Sequence, residues 1–210
     1  MTESDKSTRD RLIETAMRLF HEQGYAATGV STILREAGVK SGSLYYFFPT
    51  KEALLLAVLD RYMELLEPVI LQPAFEATPD PVGRIFAVLE GYRQALIFTQ
   101  CTMGCPIGNL ALELSDTYPE VREKLSGLFN AWCKAIKGCL DAAGDRLPSH
   151  LNRETLSRFI LTVMEGGMMQ SRAQRSVEPY EASIAHLRDY FDQLIAAGAA
   201  KSSVASDVSP

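Results

Sequence analysis

Apolar residues recur along this chain at intervals of three and four, and nowhere do they alternate for long enough to build a strand. That spacing lines them up along one stripe of an α-helix, so it leads to an all-α fold. Glycine and proline cut the stripe into segments. Leu12, Ile13, Ala16, Leu19 and Phe20 form the first, which Gly24 ends, because glycine readily takes the left-handed turn that closes a helix. Val30, Ile33, Leu34 and Ala37 form the second, with Thr28 as its expected N-cap. Gly38 breaks it, a short segment from Ser41 to Phe48 follows, and Pro49 ends that one. Thr50 is placed to cap a long helix bearing Leu54, Leu55, Val58, Leu59, Tyr62 and Leu66.

Pro68, Pro73 and Pro79 predict a break. Asp80-Pro81 restarts the helix, a cap residue followed by proline at the first helical position. Its apolar face is Val82, Ile85, Phe86, Leu89, Tyr92 and Leu96. Gly104-Cys105-Pro106 makes a further break ahead of Ile107, Leu110, Ala111 and Leu114, and Pro119 opens a helix running past Trp132 to Leu140. Asn152 caps a segment that places Leu156, Phe159, Ile160, Val163, Met164 and Gly167 inside. Pro179 opens the last one, with Ile184, Leu187, Phe191, Leu194 and Ile195. About nine helices result. They divide into a head over residues 8–59 and a second domain over 60–198. The Ala/Ser-rich stretch 199–210 has no periodicity and is expected to be disordered.

Composition excludes several classes. No apolar run approaches the roughly 20 residues a membrane span needs. Residues 1–10 are polar and lack an apolar signal core, so a cytoplasmic location is expected. The cysteines, Cys101, Cys105, Cys133 and Cys139, are too few and too clustered for a disulfide framework and should be thiols. Cys101 and Cys105 lack the spacing of a zinc knuckle, and His21, His150 and His186 are scattered, so neither a metal nor another cofactor is expected. No nucleophile elbow, metalloprotease motif or phosphate-binding glycine loop occurs, which argues against an enzyme.

The head reads as a helix-turn-helix: a helix, a turn at Gly38, and a second short helix that would enter the major groove with its N-terminal residues at the bases. Lys40, Ser41, Gly42 and Ser43 occupy those positions. Gly42 lets the backbone come close, and Ser43 offers a donor and an acceptor. Leu44 and Phe48, four apart, share an inward face. Tyr45 and Tyr46 lie off that face and are expected on phosphates, as is Lys51 at a helix N-terminus, and Thr28 is counted among the DNA-binding residues. Charge does not help. The net charge is −5, and residues 1–52 carry seven basic and seven acidic residues. A neutral head still has hydroxyls and backbone N–H groups for phosphate. From the residues alone, a helical protein-interaction module without DNA binding stays open as the alternative.

Residues Thr8 to Leu59 resemble the head of the TetR/AcrR family of transcriptional regulators. The resemblance is carried by Arg11-Leu12-Ile13-Glu14-Thr15-Ala16, Leu19-Phe20, Gly24-Tyr25-Ala26-Ala27-Thr28, Ala37-Gly38-Val39, Gly42-Ser43-Leu44-Tyr45-Tyr46-Phe47-Phe48 and Lys51-Glu52-Ala53-Leu54. The family commonly has Ser then Lys where this chain has Lys40 then Ser41, and His or Tyr where it has Phe47. The resemblance implies a regulator, expected to be a repressor, that binds a double-stranded palindromic operator as a homodimer through its last two long helices and is released by a small-molecule or electrophile inducer. Gly166 and Gly167, with Met164, Met168 and Met169, suit that pairing. The helices that line the family's pocket point to Tyr62, Leu66, Phe86, Tyr92, Arg93, Cys101, Cys105, Asn109, Trp132 and Met164 as ligand-binding candidates. Arg93 suits an anionic ligand or else a surface salt bridge. The stretch Gly104 to Leu114 resembles a subgroup in which some members respond to electrophiles. Cys105, at a helix start that would lower its pKa, is expected to sense an electrophile with Cys101, the other reading being two small buried residues.

Overall fold

A computed structural model describes residues 8–206, with side chains described as far as Gly198. Helices account for all the regular structure among these residues: α1 (Thr8–Gln23), α2 (Val30–Ala37), α3 (Ser41–Phe47), α4 (Lys51–Leu65), α5 (Gln72–Ala77), α6 (Pro81–Phe98), α7 (Pro106–Leu114), α8 (Pro119–Ala142), α9 (Arg153–Gln174) and α10 (Glu178–Ser206). The all-α expectation holds. The expected caps form where Thr50 accepts the Ala53 N–H, Asp80 the Gly83 N–H and Asn152 the Thr155 N–H.

The break predicted at Pro68 does not occur. Leu66–Leu71 is π-helical and leads straight into α5. Proline lacks an N–H and crowds the carbonyl one turn back, and the wider π turn accommodates both defects. The interruption narrows to Thr78–Asp80, and α5 brings the count one above the nine expected.

The chain divides into two compact units, one of residues up to Leu66 together with Cys105–Leu128, the other of Glu67–Gly104 and everything from Phe129. The expected division was 8–59 and 60–198; by contacts the first unit runs on to Leu66 and also takes in Cys105–Leu128. In the first unit α1 packs against α2, α3 and α4. Its core joins Leu12, Ile13, Leu19 and Phe20 to Ile33, Leu44, Phe48, Leu54, Leu55 and Val58. Leu110 and Leu114 of α7, and Val121, Leu125 and Leu128 of α8, enter the same core. A head of some fifty residues buries too little surface to be comfortable alone, and these residues enlarge its core.

In the second unit α9 packs along α10, and α6 touches both. At Gly167 α9 comes close to α10: a Cβ there would lie 3.2 Å from the Tyr180 Cα. Tyr180 is buried and donates its hydroxyl to the Leu89 carbonyl at 2.8 Å. Gly167 thus lets α9 pack closely on Tyr180 within the chain. The disorder expected from residue 199 is also corrected. The backbone is helical through Ser206, and 207–210 lie outside the described residues. Alanine has the highest helix propensity, so an Ala-rich stretch extends a helix without any apolar period.

Candidate DNA-binding site

The turn into α3 is a left-handed closure. Gly38 has φ 63°, its N–H reaches the Arg35 carbonyl, and the Val39 N–H reaches that of Leu34, the pair of hydrogen bonds that ends a helix at glycine. Lys40 then starts α3 from an extended backbone. Seven residues make a helix too short to persist by itself, so α3 owes its place to its anchors. Leu44 is fully buried and Phe48 nearly so, with the Arg9 guanidinium 5.4 Å above the Phe48 ring. On the outer side Lys40, Ser41, Gly42, Tyr45 and Tyr46 are exposed and Ser43 is half-buried. Tyr46, at 82% exposure, stands clear of the fold although Phe47 packs edge-on against it. A large aromatic left in water beside hydroxyls, a lysine and a bare glycine is a surface made for something other than the core.

Two expected DNA contacts are corrected. Thr28 is completely buried, and its hydroxyl donates to Gly24 O at 2.6 Å and Leu19 O at 3.3 Å. It ties the α1–α2 corner, and the N-cap of α2 is Gly29. Lys51 turns inward: its ammonium donates to the Tyr25 carbonyl at 2.5 Å and lies 4.0 Å from the centre of the Tyr25 ring. Burial lowers its pKa from the ordinary lysine value, with the Glu113 carboxylate partly opposing. Both of these polar groups have their partners inside the head.

That corner holds residues with no local signal in the sequence. Tyr25 is buried, and its ring meets Phe20 and Tyr118 edge-on. Burial raises its phenol pKa first, with Tyr118 adding to the effect. Glu113 of α7 accepts the Tyr25 N–H at 3.0 Å on one carboxylate oxygen and the Ala26 N–H at 2.6 Å on the other.

The ligand-binding candidates are divided between the two units. Tyr62, Leu66, Cys105 and Asn109 belong to the first unit, and Phe86, Tyr92, Arg93, Cys101, Trp132 and Met164 to the second. Burial, and after it the nearby Cys105 thiol, push the Tyr62 phenol far above its usual range. Cys105 is buried and caps α7, its Sγ accepting the Gly108 N–H at 3.4 Å. Cys101 is buried in a left-handed turn, φ 55°, and its carbonyl accepts from Arg175 at 3.0 Å. Trp132 and Met164 are core residues, and the indole Nε1 of Trp132 is buried without a hydrogen-bond partner. Arg93 is held by Glu181 at 2.6 Å and by Glu90 at 3.2 Å. It is the salt bridge of the two readings, with its charge already balanced. Among the described residues no three histidine, cysteine or acidic side chains are grouped to hold a metal ion, and no helix is long and apolar enough to cross a membrane.

On the second unit, α9 and α10 border a groove of about 400 Å³ lined by Phe159, Val163, Gly166, Ser183, His186 and Tyr190 among others. Phe159, expected inside, is 48% exposed here, and Met169 and Tyr190 are exposed as well.

Known proteins share both halves of this chain. The profile of bacterial regulatory proteins of the tetR family matches residues 12–58, and that of the LmrA/YxaF-like transcriptional regulator C-terminal domain matches 81–186. The HTH-type transcriptional repressor DhaR of Mycobacterium sp. (strain GP1) is 30% identical over 175 residues, 82% of this chain and 86% of that protein. A TetR transcriptional regulator from Chloroflexus aurantiacus superposes with a TM-score of 0.78 at 29% identity, covering 89% of this chain and 94% of that one. The reduced form of Escherichia coli NemR gives 0.72 at 26% identity, covering 87% and 96%. With the first profile covering the head, the second spanning half the chain and a repressor 30% identical over 82% of it, the assignment is plain: this protein belongs to the tetR family of bacterial transcriptional regulators.

Proposed function

We propose that the protein is a homodimeric repressor that acts in the cytoplasm, binds a palindromic operator through α3, and is released by a small molecule or an electrophile. The observation that carries the DNA reading is the outer side of α3, where Lys40, Ser41, Gly42, Tyr45 and Tyr46 are presented to solvent by a helix pinned through Leu44 and Phe48. Lys40 to Ser43 face the bases and the two tyrosines grip phosphates. Two such helices in a dimer would read half-sites about 34–36 Å apart. The exposed apolar groove between α9 and α10 supports dimerisation there. The relatives with assigned roles are regulators and not enzymes, and no catalytic role is proposed.

Binding to a duplex selected by the protein from a random pool tests this. Affinity should fall steeply with salt, with a log–log slope of about −0.9 for each phosphate neutralised. Tyr45→Phe should weaken binding by about fivefold on every sequence alike, as loss of one phosphate hydrogen bond does, whereas Ser43→Ala should change which duplexes are selected. A flat salt response would instead favour a protein-interaction module.

For the effector, the thiol cap of α7 supports Cys105 as the reactive site, since a helix N-terminus favours thiolate. The NemR relative is recorded in a form named as reduced. N-Ethylmaleimide should lower operator affinity by about tenfold, a usual size for allosteric coupling, and should do so far less in Cys105→Ser. Full modification of Cys101 and Cys105 with unchanged affinity would overturn the thiol reading and leave the DNA reading intact.

A further inference from the structure

The corner between α1 and α2 is gripped from two sides. Gly24 turns it with φ 86° and makes room, since a Cβ there would sit 3.3 Å from Glu113 Oε2. The next two N–H groups, of Tyr25 and Ala26, both point into the Glu113 carboxylate. Consecutive backbone N–H groups of this kind form a small anion-binding concavity, here filled by a side chain of the same chain. On the opposite side of the same residue, the Tyr25 carbonyl takes the Lys51 ammonium. Lys51 opens α4, just past the Phe48 anchor of the recognition helix. One residue, Tyr25, is thus held at its N–H by α7 and at its C=O by the segment that follows α3. Thr28 closes the corner onto Gly24.

Glu113 stands outside the stretch matched by the head profile, 12–58, and inside the one matched by the C-terminal profile, 81–186, yet it belongs to the first compact unit. We propose that Glu113 is a positioning residue for operator binding, whose carboxylate fixes the α1–α2 corner and, through Tyr25 and Lys51, the seat of α3 in the head. It touches no DNA in this reading. Its effect on affinity is therefore opposite in sign to that of its charge. As a bare negative charge in a DNA-binding unit it opposes phosphate, so neutralising it should tighten binding. As a clasp its loss should weaken binding.

The test uses the full chain and a selected duplex, with Glu113→Gln as the main variant and Glu120→Gln, an exposed acid of α8, as the charge-matched control. Glu113→Gln keeps one acceptor but sets an amide NH₂ against the other N–H. Amide hydrogen exchange at Tyr25 and Ala26 should speed up at least tenfold while the amides of α1 stay protected. Affinity for the selected duplex should fall about tenfold, the size of losing a hydrogen bond to a charged group, with affinity for random duplex little changed. The control should bind as well as the parent or better. Glu113→Asp, a shorter carboxylate, covers the case in which the glutamine variant does not fold, and it should show both effects more weakly.

Three outcomes overturn the proposal. In the first, Glu113→Gln binds the selected duplex as tightly as the control. In the second, affinity is lost while exchange at Tyr25 and Ala26 is unchanged. In the third, selected and random duplexes lose affinity equally, which would mean general loosening of the head and not positioning.

Discussion

Leu44→Ala is expected to abolish operator binding. Leu44 has no exposed surface, and with Phe48 it is what seats the seven-residue α3 on the head. Truncating a buried leucine costs about 2–5 kcal/mol, part transfer and part cavity. A helix this short has almost no stability of its own to draw on, so the loss falls first on the placement of α3. Operator affinity should drop by more than about a hundredfold, or some 2.7 kcal/mol, and the melting temperature should fall as well. Tyr46→Ala is the contrast. Tyr46 is 82% exposed, so removing it should leave stability within about 0.5 kcal/mol while still weakening DNA binding. Circular dichroism melts and fluorescence anisotropy on a selected duplex measure both. If Leu44→Ala bound within a few-fold of the parent, α3 would not be held as described.

Leu44 and Phe48 were legible because helical spacing reports which side of a segment faces inward. The caps at Thr50, Asp80 and Asn152 were legible because an N-cap bond is local. What spacing leaves open is the partner that each face meets. Thr28 was expected to cap α2, and a hydroxyl just ahead of a helix does so in most settings. Here Gly24 places two carbonyls within its reach, and it bonds inward. Lys51 was expected on phosphate, but a carbonyl and an aromatic face lie closer. The Glu113 clasp joins residues 88 positions apart, and nothing in a single glutamate on a helix announces such a bond. The membership of 105–128 in the head unit has the same cause, since α7 is amphipathic whichever core it enters. The family resemblance supplied the role of α3 and the expectation of pairing, neither of which periodicity can provide.

Phe159→Arg is expected to separate the dimer and, with it, tight operator binding. The α9–α10 groove is apolar, and Phe159 at its rim packs edge-on against Tyr190 with centroids 6.2 Å apart, leaving about half its surface in solvent in the single chain. An arginine there is harmless to the monomer, where its head reaches water. In a dimer that closes over the groove the same guanidinium is desolvated without a partner, which costs several kcal/mol per copy, and two-fold symmetry applies the cost twice. Each head held alone binds only a half-site. Joining two raises the local concentration of the second, a gain of about 10²–10⁴ in avidity that the variant forfeits. Sedimentation should give a monomer, and affinity for the full palindrome should fall by at least about a hundredfold, to the level the parent shows for a half-site duplex. Half-site binding itself should be unchanged, since Phe159 and α3 belong to different compact units. Phe159 suits this test better than Gly167, where any side chain meets Tyr180 of the same chain and would damage the fold before it reached the interface. A variant that stays dimeric by sedimentation would place the pairing surface elsewhere. One that becomes monomeric but still binds the palindrome tightly would mean that the operator is read by single heads.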